Sequence, residues 1–156
     1  MRIPDLREAA DIKGSRQLSR KAVPPTYIPL KNAIFYSMAA AYAEEKGSRY
    51  IIGGHNGDDM RVFEDAGDGF FTSMQAALSA ASPRLSKNKL EIMRPLRDMG
   101  KPEVVALGAA LGVPFEYTWS CHRAGERHCW KCAGCKARTK AFKAAGIKDP
   151  LRPKKV

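Results

Sequence analysis

Four cysteines, Cys121, Cys129, Cys132 and Cys135, crowd into one short stretch with the spacing C-x7-C-x2-C-x2-C. A zinc ion takes four such ligands in a tetrahedron, with Zn–S about 2.3 Å. Each C-x2-C step brings two thiolates onto one ion through a tight turn. Here two steps overlap, and Cys121 closes the set from the preceding loop. Lys131, Lys136 and Arg138 offset the charge of four thiolates. Such a shell is full and leaves no position for water, so the expected role is structural, not hydrolytic. An iron–sulfur cluster and free or disulfide-paired cysteines are the alternatives. His122 and His128 flank the cluster and read as surface histidines.

A second group of reactive side chains lies in HNGDDMRVFEDAGDGF, residues 55–70. Asp58, Asp59, Glu64, Asp65 and Asp68 crowd together there, beside His55 and Asn56. Carboxylates so grouped can hold magnesium or accept hydrogen bonds from the N–H edge of a purine-like ring. A solvated acidic loop is the plain alternative. His55 reads as solvated, with contact to a substrate as its other reading. The chain has no G-x4-G-K-S/T loop, no G-x-G-x-x-G and no Ser-Gly-Gly-x-Asp-Ser segment. These residues therefore carry no phosphate cradle of a known type.

The elements that must position these groups follow from periodicity. Lys31–Lys46 reads as a helix, with Ile34, Phe35, Met38, Ala41 and Tyr42 at helical spacing and Gly47 as its stop. Tyr50–Gly54 reads as a buried strand, so the acidic loop sits at a strand's carboxyl end, where open α/β sheets bind ligands. Phe70–Ser82 reads as a helix ended by Pro83, and Lys89–Arg94 as a strand ended by Pro95. Pro102–Leu111 is a third helix with Gly112 as its cap. Val113–Trp119 is expected to be extended, and Cys132–Ala145 to be a helix closed by Gly146. Two clear strands are few, since sheets usually hold four or more.

Composition bounds the class. With 156 residues, 44% hydrophobic and 28% charged, the chain can bury a core and is no disordered tail. No apolar run approaches the length of a membrane span. The opening MRIPDLREAADIKG lacks the apolar centre of a secretory signal, so a reducing, cytoplasmic setting is expected. The net charge of +11 is unevenly placed: residues 120–156 hold eleven Lys/Arg against two Asp/Glu. That basic end suits RNA or another acidic partner, or is simply a solvated helix face and tail.

Residues from about Ala22 to Pro150 resemble the carboxyl-terminal part of the 7-cyano-7-deazaguanine synthase family. The matching words are TYIPLKNAIFYSMAAAYAEEKG, IIGGHNGDD with Asp65 a few residues on, LGVPFEYTWSC, the later three cysteines, and AGIKDP. Thr118-Trp119-Ser120-Cys121 with those cysteines is the most specific. The resemblance implies a partial Rossmann-like, PP-loop ATPase type α/β fold. It is a parallel sheet with helices, followed by a carboxyl-terminal zinc-binding loop and helix. In domain terms it implies an irregular lead-in over 1–30, an α/β substrate-side part over 31–119, a zinc loop and helix over 120–150, and a basic tail over 151–156.

The family is an ATP-dependent carbon–nitrogen ligase of queuosine and archaeosine precursor synthesis. It converts 7-carboxy-7-deazaguanine and ammonia to the nitrile. By resemblance Cys121, Cys129, Cys132 and Cys135 are zinc ligands, and Asn56, Asp59 and Asp65 belong to the substrate loop. Lys31-Asn32 stands where the family has Arg-Asn near the nucleotide. Phe63 and Glu64 stand where it has Tyr and Pro. The family's Ser-Gly-Gly-x-Asp-Ser loop has no counterpart here. ATP with magnesium is therefore expected only where a PP-loop-bearing amino-terminal half, or a second copy, completes the site. Other expected readings are a zinc-containing RNA- or protein-binding module, and half of another PP-loop ATPase acting in nucleobase or tRNA modification.

Overall fold

The computed structural model describes residues 16–17, 22–23, 27–123 and 125–153. The chain divides into two compact units, one over Pro29–Asp98 and one made of Met1–Ile28 with Met99–Val156.

In the first unit, α1 spans Lys31–Lys46 and stops where Gly47 turns left-handed at φ 68° and donates to the carbonyls of Ala43 and Glu44. Its buried side chains are Asn32, Tyr36, Ala40 and Ala43. The periodic residues Ile34, Phe35, Met38 and Tyr42 instead lie on the exposed face, with Tyr42 63% and Met38 66% exposed. The helix has two apolar faces, and the one with small alanines lies close against the sheet. The face with the bulky residues is left open.

The sheet here is a parallel pair, β3 (Tyr50–Ile52) and β4 (Glu91–Met93), in the register Ile51↔Ile92. Ile51 and Ile92 turn inward onto Ala40, Ala43, Leu78, Leu85 and Leu90. Gln75 takes the place of a neighbouring strand along β4. Its Oε1 accepts from the Ile92 N–H at 2.8 Å, and its amide donates to the Leu90 carbonyl. Among the described residues no strand pairs with the second edge of β3.

Residues 55–70 are more regular than a polar loop. They form α2 (Gly57–Val62) and a 3-10 turn (Glu64–Ala66), then enter α3 (Asp68–Ala81). Pro83 does end α3, but it also opens a further helix, α4 (Pro83–Lys87), because Pro is well suited to a first helical turn. Ser82 caps α4 by accepting from the Leu85 N–H at 3.2 Å and also pairs with Glu44 of α1.

In the second unit, β1 (Arg16–Gln17) and β2 (Ala22–Val23) form a short antiparallel pair. Of the irregular lead-in expected over 1–30, residues 1–15, 18–21 and 24–26 lie outside the described residues. Helix α5 (Lys101–Ala110) begins where Glu103 accepts from the Gly100 N–H at 2.6 Å. Helix α6 (Ala133–Ala144) packs against it through Val105, Ala141 and Phe142. Residues 113–119 are not extended as expected: Phe115–Tyr117 forms a 3-10 turn. The reason is packing, since the Phe115 ring turns in against Phe142 at 4.9 Å and against Gly108, where a Cβ would sit 2.8 Å from it.

Candidate metal centre and polar pocket

Cys121 and Cys129 come from the loop before α6, Cys132 caps the helix, and Cys135 lies in its first turn. Their four Sγ atoms lie within 4.8 Å of one another. The pairs Cys129–Cys135 and Cys121–Cys132 are each 3.9 Å apart. Four thiolates on one zinc stand about 3.8 Å apart, given a tetrahedron with bonds near 2.3 Å. All four are free of disulfides. The spacing is that of a coordination shell, and the donor set fits zinc.

Backbone donors already point at the sulfurs. The N–H groups of His122 and Cys132 reach Cys132 and Cys129 Sγ at 3.4 and 3.3 Å, and that of Arg123 reaches Cys121 Sγ at 3.4 Å. Burial pushes the Cys129 thiol up, but the N–H donors of Lys131 and Cys132 outweigh it and bring it down to about 6. Burial also pushes Cys135 up, to about 12, with the neighbouring thiols adding to the effect. Ionising one thiol thus disfavours the next, and a central cation is what lets four such groups ionise together.

The loop is braced by contacts that its composition does not announce. His128 is buried and accepts the Ser120 N–H at Nε2, 3.0 Å away, while its ring contacts Trp119 at 4.4 Å and stacks on Trp130 at 5.2 Å. It is therefore no surface histidine, as expected from sequence, but an internal brace. Burial holds it below the usual imidazole range, and the Arg138 charge adds to this.

Arg138, expected only as a counter-charge, is 4% exposed and grips Asp149 through two hydrogen bonds of 2.7 and 2.8 Å. It also donates to Thr118 Oγ1 at 2.6 Å and to the Phe115 carbonyl at 3.2 Å. One guanidinium thus ties α6, the 115–118 turn and the carboxyl-terminal segment together. Burial pushes the Asp149 carboxyl up, but Arg138 and the Leu151 N–H outweigh it and hold it below the usual range.

The second site lies in the other unit. Lys31, Asn32, Asp59 and Asp65, with His55 and Phe63, line a cavity of about 320 Å³ beyond the carboxyl end of β3. Asn32 opens α1 and is buried. Its amide donates to the Asp65 carbonyl at 2.9 Å, and its backbone N–H reaches Asp65 Oδ2 at 3.5 Å. Asp65 is thereby fixed to the start of α1.

Asn56 does not line the cavity. Its side chain is the cap of α2, accepting from the N–H groups of Asp58 and Asp59 at 3.0 and 3.3 Å. Its work is to aim Asp59 from the first turn of a helix. Phe63 lines the cavity while Glu64 does not.

His55 is half-buried between Tyr36 and Phe71, with ring centroids 5.9 and 5.2 Å away. Burial holds its imidazole below the usual range; Asp59 and Asp65 oppose this, while Lys31 and Arg94 add to it. His55 is thus a cavity-wall residue rather than a solvated one. Gly53 is needed for this packing, because a Cβ there would collide with the Tyr36 hydroxyl.

Tyr36, Phe71 and Arg94 escaped the sequence reading. Their only signals were Tyr36 one turn after Asn32, and Arg94 just before the strand-ending Pro95. Chemically the cavity offers two carboxylate acceptors, one cation and a neutral ring. That set suits a flat ring rich in N–H groups, and Asp59 and Asp65 repel free phosphate.

A family model described as queuosine biosynthesis protein QueC matches residues 5–146. Curated relatives named 7-cyano-7-deazaguanine synthase include one from Thermoplasma volcanium, 40% identical over 140 residues, covering 88% of this chain and 58% of the relative. One from Thermoplasma acidophilum is 40% identical over 85% of this chain and 56% of its own length. One from Methanosarcina mazei is 36% identical over 86% of this chain and 55% of its own length. The chain therefore spans somewhat over half the length of these relatives.

Proposed function

The chain belongs to the QueC family of queuosine biosynthesis proteins, and on that premise we propose that it is the substrate- and zinc-binding part of a 7-cyano-7-deazaguanine synthase. The observation that carries the proposal is the cavity at the end of β3, where Asp59 and Asp65 meet Asn32 and Lys31. A deazaguanine ring presents adjacent N–H donors, and two fixed carboxylates are matched acceptors for them. Asn32 and Asn56 hold the backbone at Asp65 and Asp59 in place before the ligand arrives, which lowers the ordering cost of binding. Lys31 supplies the cation that lines the cavity and would face the nucleotide.

The four cysteines hold zinc in this reading. The ion cross-links the loop before α6 to the first turn of that helix and leaves no ligand position for catalysis. Adenylation of a carboxylate needs donors aimed at the α-phosphate and pyrophosphate. No Gly-rich phosphate turn occurs in the 156 residues. We assign that task to polypeptide outside them, in the same chain or a second one.

The open face of α1 (Ile34, Phe35, Met38, Tyr42) and the exposed Ile52 on β3 support such a neighbour. Exposed apolar area of this kind, with no strand on the second edge of β3 among the described residues, is what a further strand and helix would cover.

Calorimetric titration with 7-carboxy-7-deazaguanine tests the reading. Binding by the chain is expected, and AMP formation only once a PP-loop-bearing segment is supplied. No binding overturns the substrate assignment, and steady AMP formation by the chain alone overturns the division of labour.

A second reading, RNA binding through the basic end, draws on one observation. Trp119, Trp130 and Arg127 line a groove of about 630 Å³ in which bases would stack. Salt-sensitive binding of a short single strand, lost in Trp130→Leu, would favour it.

A further inference from the structure

Arg94 follows β4 directly and precedes Pro95. The Gly53 N–H bonds to the Met93 carbonyl at 2.9 Å, so the register carries on past the strands and Arg94 emerges at the carboxyl ends of both. Its side chain is only 9% exposed. The guanidinium lies 4.3 Å over the Phe71 ring, and Nη2 bonds to Asp68 Oδ1 at 2.8 Å. Nη1 is buried and has no acceptor. A guanidinium has five donors, and a buried, charged N–H without a partner is a costly feature that calls for an explanation.

Its surroundings point to one. The Phe71 ring under Arg94 also touches Tyr36 and His55, at 5.0 and 5.2 Å between centroids, and His55 lines the cavity described above. Arg94 is thus separated from that cavity by two rings, Phe71 and His55. It stands just after β4, whereas Asp59 and Asp65 stand on the segment after β3.

A ring that gives its N–H edge to two carboxylates cannot leave a carboxylate of its own beside them without repulsion. That group needs a cation based elsewhere. Reaching Nη1 from the cavity requires the His55 and Phe71 rings to turn aside.

We propose that Arg94 is the oxyanion-binding residue of this site and pairs with the carboxylate of the ring that Asp59 and Asp65 recognise. The inference rests on the substrate reading above and goes beyond it by separating recognition of the ring from recognition of its charge. Asp68 is 61% exposed and partly occupies the guanidinium in the absence of ligand.

The test compares two ligands on the full chain: 7-carboxy-7-deazaguanine and 7-deazaguanine lacking the carboxylate. Arg94→Met is expected to weaken the first by roughly 10- to 100-fold, the range of a charge-assisted hydrogen bond, and to leave the second unchanged. Arg94→Lys should show a smaller loss of the same selectivity. If Arg94→Met does not fold, Asp68→Asn decides. It removes the competing anion from an exposed position and is expected to tighten the carboxylated ligand alone. Equal change for both ligands, no change in either, or a loss confined to ATP overturns the inference while leaving the substrate reading intact. Failure of the parent chain to bind either ligand overturns the substrate reading and the inference with it.

Discussion

The cysteine loop and the acidic segment are both short, polar and irregular in sequence, yet they are held in opposite ways. The cysteine loop converges on its own side chains, with four sulfurs inside 4.8 Å. The acidic segment converges on the scaffold. Asp65 is fixed by Asn32 of α1, Asp59 by the Asn56 cap, and His55 by Tyr36 and Phe71. A site whose ligands define the geometry stands or falls with the ion. A site hung on helix starts and a strand end can lose one contact and keep the rest.

The sharpest way to break the comparison is to remove the ion's ligands. Cys132→Ser, or a strong chelator, is expected to release the metal and unfold the loop and the start of α6. Structural zinc contributes roughly 10–16 kcal/mol of apparent free energy in small zinc peptides. Elemental analysis and far-UV circular dichroism would read it, with the first unit expected to be spared.

Next in size is the buried pair behind that loop. Arg138→Met leaves the Asp149 carboxylate buried and unpaired, which costs about 3–5 kcal/mol where such pairs have been broken. Thermal denaturation should show the loss. The same pair sets a pH dependence. Asp149 is held below the usual range when folded, so its contribution is fully present above the unfolded value near 4 and is lost as pH falls through the lower folded value. The parent should therefore lose stability steeply below about pH 4, and Asp149→Asn should flatten that slope.

In the acidic pocket the effects should be smaller and confined to binding. Asp59→Asn or Asp65→Asn is expected to weaken the deazaguanine ligand by about 1–3 kcal/mol, with the melting curve little changed. Calorimetry and thermal denaturation on the same variants separate the two. The smallest effect belongs to Asn56→Ala, which removes the cap of α2 at about 1 kcal/mol and reaches the ligand only through Asp59. A loss of binding in Asn56→Ala larger than in Asp59→Asn would mean that the cap itself touches the ligand.

Much of the scaffold was readable because local rules decide it. Gly47 stops α1, Pro102 opens α5, and the run Tyr50-Ile51-Ile52 lies in a strand. What misled was the direction of the apolar residues. Ile34, Phe35, Met38 and Tyr42 have helical spacing, and spacing alone does not say which of two apolar faces meets the core. The same limit hid the 115–117 turn, where propensity for an extended segment yielded to the docking of Phe115 on Phe142 and Gly108.

By itself, then, the order of residues determined a four-cysteine cluster that could hold a metal, the longer helices and the family, though not the short helices α2 and α4. Ligand spacing, caps and motif words are all local along the chain. Only the tertiary structure decided which polar residues are working parts and which are supports. It turned Asn56 into a cap, His128 into a brace, Arg138 into a buried tie and Arg94 into a cation with an unfilled donor. The last three roles rest on hydrogen bonds to partners 8 or more residues away, such as Ser120 for His128, Asp149 for Arg138 and Asp68, 26 residues from Arg94. Burial changes the worth of a charge or an N–H bond by kilocalories, and burial is a property that only the folded chain assigns.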